Sequence, residues 1–131
     1  MLIVLYTKAE CMTNIFQITI PFPPSVNTYW GFKGSRRYLT ARAKTFKDMV
    51  NNIFIHSGFE PLGDARLKVT IKLYPPDRRI RDIDNVVKST LDALCQCGIF
   101  TDDGQIDVLH VSREKVIKWG AAVVSIEKIA A

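Results

Sequence analysis

The sequence predicts an α+β domain in which a mixed β-sheet carries two helices, packed mainly on one face, in two layers. Two stretches repeat apolar residues at helical spacing, and short strand-like runs surround them in the order β, loop, α, β, α, β, β. The length of 131 residues and the hydrophobic share of 47% suit one compact core and exclude a disordered or fibrous chain. We therefore expect a single domain over residues 15–131, preceded by an N-terminal extension over residues 1–14 that is disordered or an edge strand.

The first element is an apolar run at residues 15–20, IFQITI, whose composition is typical of a short strand ending at Pro21. The next stretch, PFPPSVNTYWGFKGSRRY, mixes Pro and Gly with polar, aromatic and basic residues, which interrupts any regular period. We therefore expect a long loop over residues 21–38. Loops of this length in compact domains are usually functional or mobile.

Capping residues and apolar spacing predict two helices. The first begins after the N-cap Thr40 and ends near Ser57, before Gly58, and its apolar stripe is Phe46, Met49, Val50, Ile53 and Phe54. The second begins at about Asp82 or Asp84. It ends at Cys97, since Gly98 suits a left-handed C-cap, and its shared face is Val87, Thr90, Leu91, Leu94 and Cys95.

Three further strands are predicted. Arg66 to Tyr74 alternates apolar with polar residues, as a strand with one buried face does. Gln105 to about Val116 and Ala121 to Ile129 are rich in Val and Ile, and we expect Trp119 to pack at a hairpin turn between them.

Charge and cysteine content indicate where the protein acts. The 18 Lys and Arg residues exceed the 13 Asp and Glu residues, and the net charge of +5 favours a polyanionic partner. Three cysteines are too few for a disulfide framework and suit a reducing compartment. Because no segment reads as an export signal or a membrane span, we expect a cytoplasmic protein with no membrane partner.

Acidic residues follow the second predicted strand and the second predicted helix. Asp82 and Asp84 lie two residues apart where an arginine-rich segment enters a helix, so their carboxylates can converge on one hard cation, with Asp103 as the third candidate ligand. Mg²⁺, for which Mn²⁺ can substitute, takes such oxygen ligands together with waters and a phosphate. Taken singly, these acids also suit a helix N-cap and a turn at Asp102-Asp103-Gly104.

Basic residues accompany these acids. Lys88 follows Asp84 by four residues, which on its own is the spacing of an ordinary surface ion pair. A metal-dependent phosphodiester cleavage site needs acids that hold the cation and basic groups that bind the scissile phosphate and steady the leaving oxygen. Lys88 meets the second need, together with Arg78, Arg79 and Arg81.

These motifs resemble the RusA family of Holliday junction resolvases, which are small, dimeric, magnesium-dependent endonucleases. The resemblance rests on PPSVN, on RDIDNVVK and on the Asp102-Asp103 pair, in this order, and covers the chain from Ile15 onward. It implies that Asp82, Asp84 and Asp103 are metal-binding catalytic acids and that Lys88 is a catalytic lysine. It also implies a homodimer acting on branched DNA. The segment before Met12 matches nothing in that pattern.

Residues 21–47 contain six basic residues and no acid, which favours a DNA-facing surface: Lys33, Arg36, Arg37, Arg42, Lys44 and Lys47. Tyr29 and Phe32 lie among these charges and could stack on unpaired bases, or alternatively cover the core or a subunit interface. We therefore predict a structure-selective nuclease that resolves four-way junctions by paired cuts. The alternatives are a nuclease for flaps or forks and a non-catalytic DNA-binding recombination module.

Overall fold

The computed structural model describes residues 15–129, and the prediction for residues 1–14 lies outside them. The strands and helices within the described range are β1 (Ile15–Ile20), β2 (Trp30–Lys33), β3 (Arg36–Leu39), α1 (Ala41–Ser57), β4 (Leu67–Tyr74), α2 (Ile83–Gln96), β5 (Ile106–Arg113) and β6 (Ala121–Lys128). Short 3₁₀ turns cover Val26–Thr28 and Asp103–Gln105. None of the described helices is long and apolar enough to cross a membrane.

The main sheet has four strands in the order β1-β6-β4-β5. β6 is antiparallel to both β1 and β4, whereas β4 and β5 are parallel and are connected through α2. At the centre of the sheet, Ile71 of β4 is paired with Val111 on one side and Val124 on the other. The predicted mixed sheet with two helices is confirmed.

One face of this sheet forms the core. Buried and less buried residues alternate along β1, β4 and β6, so a single face of each strand is covered by the helices. The apolar side chains of α1 and α2 pack there in one hydrophobic cluster with the strands, including Phe16, Ile18, Phe46, Val50, Leu67, Ile71, Leu94 and Val124. β5, at one edge of the sheet, contains no fully buried residue.

The predicted caps of α1 are confirmed. The Thr40 hydroxyl accepts a hydrogen bond from the Ala43 amide at 3.2 Å, and Gly58 ends the helix in a left-handed conformation with φ of 79°. The hairpin turn predicted at Trp119 is wrong, because β5 and β6 lie on either side of β4 and do not pair with each other. The Trp119 side chain is 81% exposed and does not pack in the core.

The predicted long loop over residues 21–38 is corrected by the structure. β2 and β3 form a separate two-stranded hairpin over residues 30–39, called here the basic hairpin. Gly34 begins its two-residue turn with φ of 66°, a backbone conformation that glycine adopts without strain. The Gly34-Ser35 pair between two short aromatic runs was the available signal, and the nearby Pro and Gly residues obscured it.

Candidate nucleic-acid and metal site

The start of α2 presents two carboxylates without protein partners. Pro75-Pro76 ends β4, and the chain then reaches Asp82, which occupies the N-cap position with extended backbone but makes no side-chain capping bond. Asp84 follows in the first turn. Both residues are exposed, and neither carboxylate takes part in a hydrogen bond or ion pair with the described residues. These oxygens are therefore available to a ligand.

Asp77 organises the arginine-rich segment that leads to α2, a role that the sequence did not indicate. Its carboxylate accepts a hydrogen bond from the Arg79 amide at 2.9 Å and pairs with the Arg81 guanidinium at 2.8 Å. The bond from Arg81 is the largest cause of the lowered pKa of Asp77, followed by the Arg79 amide. Arg81 also lies over the ring of Phe22, whereas Arg78 and Arg79 are exposed.

The turn that carries Asp103 is held by two neighbouring side chains. The Asp102 carboxylate accepts a bond from the Gly104 amide at 2.8 Å, and Asp102 and Gln105 form a capping box. The buried Gln105 carboxamide accepts hydrogen bonds from two backbone amides of the turn. It also donates hydrogen bonds to the carbonyls of Gly63 and Ala65, in the loop between α1 and β4. Asp103 is therefore presented from a fixed turn rather than from a free loop.

Lys88 connects the turn to α2. Its Nζ donates to Asp103 Oδ2 at 2.9 Å and lies 3.1 Å from Oδ1 of Asp92, so it pairs with these acids and not with Asp84. The bond to Asp103 is the largest cause of the raised pKa of Lys88; desolvation opposes it and Asp92 adds to it. Because Asp84 and Lys88 are four residues apart, they share a face of α2 with this contact.

The described residues fit a hard cation only in part. Within residues 15–129, no group of three or more His, Cys, Asp and Glu side chains is arranged to hold a metal ion. The predicted three-aspartate site is therefore not preformed, and the Asp103 carboxylate is paired instead with Lys88. Mg²⁺ is nevertheless commonly held by one or two carboxylates together with waters and substrate phosphates, and the unpartnered oxygens of Asp82 and Asp84 suit that mode.

A groove of about 820 Å³ runs beside Asp82. Its walls are the Pro-rich segment 21–25, the first half of α1 and segment 76–82. The groove brings Arg42 of α1 together with Arg79 and Arg81 of the segment before α2. It therefore combines basic groups from two distant parts of the sequence with one of the predicted metal ligands.

The basic residues of segment 21–47 lie on two neighbouring elements. Lys33, Arg36 and Arg37 are exposed on the basic hairpin, and α1 carries the exposed Arg42 and Lys44 together with the half-buried Lys47. Such a surface suits the phosphate backbone of a nucleic acid.

The two residues that were predicted to stack on bases differ in their exposure to solvent. Phe32 on the basic hairpin is 67% exposed and available for stacking. The prediction for Tyr29 is wrong, because its ring is fully buried and its hydroxyl donates to Gln96 Oε1 at 2.7 Å. The aromatic run in this segment therefore divides between the protein interior and the surface.

Comparisons with known proteins show the family to which the chain belongs. A sequence model of the family described as Endodeoxyribonuclease RusA matches residues 21–127. The chain is 32% identical over 116 residues to a protein of Enterobacteria phage HK97 named crossover junction endodeoxyribonuclease, with 88% of this chain and 97% of the relative covered. Relatives of the same name from Shigella sonnei and from Escherichia coli K12 are each 34% identical over 117 residues, with the same coverage. The resemblance inferred from the sequence motifs is confirmed, and the chain belongs to the RusA endodeoxyribonuclease family.

Proposed function

We propose that this protein is a metal-dependent endonuclease that resolves four-way DNA junctions by paired, symmetric phosphodiester hydrolysis in recombination and repair. The reaction would take place in the bacterial cytoplasm, where chromosomal and phage DNA lie. The substrate class is supported by family membership and by the names of the relatives. The residues assigned to the reaction follow from the site described above.

One observation carries the assignment of the site: the 2.9 Å contact between Lys88 Nζ and Asp103 Oδ2. Lys88 belongs to the RDIDNVVK motif, and Asp103 belongs to the Asp102-Asp103 pair. If the first motif were only a helix start and the second only a turn, nothing would require their side chains to be in contact. A cleavage site requires it, since its acids and its cationic group must act on the same phosphate.

We assign Asp82, Asp84 and Asp103 as the groups that hold Mg²⁺, with Mn²⁺ as a substitute. When bound, the ion supplies charge neutralisation at the phosphate and activation of a water molecule. Asp82 and Asp84 would give up no contact, because their carboxylates have no partner among the described residues. Asp103 would join them by giving up its contact with Lys88.

Lys88 would then act on the DNA. Its ammonium, exposed on α2 beside Asp103, is placed to donate a hydrogen bond to a phosphate oxygen and to stabilise the negative charge that develops on the leaving oxygen. The exposed Arg78 and Arg79, at the entrance to α2, and Arg81 behind them would hold the flanking phosphates.

The basic hairpin and α1 supply the wider DNA-binding surface of the proposal. Phe32 is the most exposed aromatic side chain of the basic hairpin, and stacking on an unpaired base at the junction centre contributes about 1–3 kcal/mol per base. A four-way junction is nearly two-fold symmetric, so a homodimer with C2 symmetry would place one site on each of two opposing strands.

Cleavage of synthetic DNA tests the proposal. We would compare a mobile four-way junction, a fork and a linear duplex, with Mg²⁺, with Mn²⁺ and with neither, using the wild type and Asp82→Asn. We expect paired cuts on the junction only when a divalent ion is present. Asp82→Asn should abolish cleavage while junction binding stays intact or tightens, because the lost negative charge eases the approach of phosphate.

The outcomes separate the proposal from its alternatives. Faster cutting of the fork than of the junction would indicate a nuclease for other branched DNA. Binding without cleavage in either metal would indicate an accessory module. Wild-type cleavage by Asp82→Asn would overturn the assignment of the site while leaving the family membership intact.

A further inference from the structure

Asp92 is an acid of α2 that the proposed reaction does not use. Its side chain is only 17% exposed and has a different partner on each oxygen. Oδ1 lies 3.1 Å from Lys88 Nζ, and Oδ2 accepts a hydrogen bond from Trp30 Nε1 at 3.2 Å. A half-buried carboxylate bound at both oxygens has a fixed orientation, so it also fixes the group that it binds.

Trp30 is itself held firmly on the basic hairpin. The Arg37 guanidinium lies 3.8 Å from its ring centroid, and the ring of Tyr29 packs against it in an edge-on arrangement at 5.6 Å. Tyr29 is bonded in turn to Gln96 of α2. The hairpin and the residue that precedes it are therefore joined to α2 by one hydrogen bond each, and the Asp92 carboxylate accepts the one from Trp30.

Of the two acids that bind Lys88, only Asp103 would change its partner in the proposed reaction. Asp103 would turn to the metal ion and would then no longer hold the ammonium. Asp92 has no second role, and its link to Trp30 persists. Without Asp92, the flexible four-carbon side chain of Lys88 would lose its remaining anchor and sample orientations away from the phosphate.

We infer that Asp92 is a positioning residue that holds the Lys88 ammonium toward the scissile phosphate and is itself oriented by the Trp30 indole N–H. This inference rests on the proposed function of Lys88. It also connects the basic hairpin to the reacting group, since the residue that orients Asp92 lies on the proposed DNA-binding hairpin.

Asp92→Asn tests the inference with little change of shape. Cleavage is measured in single turnover with enzyme in excess, and junction Kd is measured without divalent ions. We expect the cleavage rate to fall by about 10- to 100-fold, as when supporting residues of an active site are removed, with an unchanged Kd. Glu60→Gln, which removes an exposed acid of the loop after α1 and alters the net charge equally, should leave the rate unchanged.

The double variant distinguishes positioning from a general structural role. If Asp92 acts through Lys88, Asp92→Asn should cause no further loss in a Lys88→Gln background. An equal fold-loss in both backgrounds would overturn the inference. Wild-type cleavage by Asp92→Asn beside an impaired Lys88→Gln would also overturn it and leave the proposed function standing. Wild-type cleavage by Lys88→Gln would instead refute the role of Lys88 on which the inference rests.

Trp30→Phe supplies a second variant that keeps an aromatic ring against Arg37 and removes the N–H donor together with one ring of the indole. We expect a smaller loss of cleavage rate than in Asp92→Asn, again with unchanged Kd. The chain has two tryptophans, so Trp119 is an internal control for the indole N–H resonances in an NMR spectrum. In Asp92→Asn the Trp30 resonance should move and the Trp119 resonance should not. An unmoved Trp30 resonance would contradict the hydrogen bond on which the inference depends.

Discussion

Lys88 Nζ and Asp103 Oδ2 lie 2.9 Å apart although fifteen positions separate them in the sequence. This contact crosses from the second turn of α2 to the turn before β5, and it raises the pKa of Lys88. The Asp103 carboxylate stabilises the protonated amine, so removing its charge should reverse the shift.

Asp103→Asn should therefore lower the pKa of Lys88 toward the ordinary value of lysine. An NMR titration of the lysine Cε resonances between neutral pH and high pH measures this directly. Because the pKa of Lys88 is raised in the folded protein, the pair stabilises the fold below about pH 10, and this contribution is lost as the pH rises through the raised pKa. Asp48→Asn is the control, and identical Lys88 titrations in wild type and Asp103→Asn would contradict the contact.

The elements with a clear period could be predicted from the sequence, and the tertiary contacts of the site could not. The caps of α1 at Thr40 and Gly58 and the alternation along β4 depend only on residues close in the sequence. The structure confirms each of them. The partners of Lys88 depend on how a distant turn packs against α2. The i,i+4 rule favours Asp84, but Asp92 lies at the same spacing on the other side and Asp103 competes for the same ammonium.

The aromatic residues near the site show the same limit. Tyr29 and Phe32 are three positions apart in the same stretch of mixed polar and aromatic residues. Tyr29 is nevertheless fully buried, whereas Phe32 is 67% exposed. Their difference is set by the basic hairpin, in which Phe32 is paired with Arg37 while Tyr29 precedes the strand and points to α2. Because the hairpin was predicted as a loop, the sequence offered no basis for separating them.

Gln105 should be a stabilising residue of the turn that carries Asp103. Its buried carboxamide makes four hydrogen bonds to backbone groups, two as acceptor and two as donor. Gln105→Glu keeps the shape but loses the donor and places a charge against the carbonyls of Gly63 and Ala65. We expect the free energy of unfolding to fall by about 1–3 kcal/mol at neutral pH, and cleavage to weaken with it.

Urea denaturation at several pH values measures the effect of Gln105→Glu. The loss should shrink in mild acid, because a protonated carboxyl can again donate a hydrogen bond. Gln17→Glu is the matched control, since the half-buried Gln17 carboxamide accepts a side-chain hydrogen bond from the Ser125 hydroxyl at 3.0 Å. Equal destabilisation by both substitutions would show that Gln105 has no special role in the turn.

Gly120 should tolerate alanine less well than Gly34, although both have positive φ near 67°. At Gly34 an added Cβ meets nothing within 4 Å, so only the backbone cost of about 1–2 kcal/mol applies. At Gly120 the added Cβ would lie 2.9 Å from Phe22 and 3.0 Å from Pro76. We expect about 1–3 kcal/mol of further loss from overpacking.

Thermal or urea unfolding of the two alanine variants checks this comparison. Because Phe22 and Pro76 line the groove beside Asp82, Gly120→Ala should also weaken junction binding, whereas Gly34→Ala changes only the hairpin turn. Equal stabilities of the two variants would mean that the close approach of Gly120 to its neighbours is relieved without cost.

Mg²⁺ should raise the melting temperature of the protein through Asp82 and Asp84. A ligand that binds only the folded state stabilises it by about 1.4 kcal/mol at ten times its Kd, which corresponds to a few degrees for a chain of this size. The two carboxylates have no partner among the described residues, so a bound cation would supply the opposite charge that they lack. The measurement is a series of melting curves in EDTA and in increasing MgCl₂ at constant ionic strength. The Mg²⁺-dependent shift should shrink in Asp82→Asn and in Asp84→Asn and persist in Asp48→Asn. An identical shift in all three variants would show that the ion stabilises the protein elsewhere, and Asp82 and Asp84 would lose their assignment as ligands.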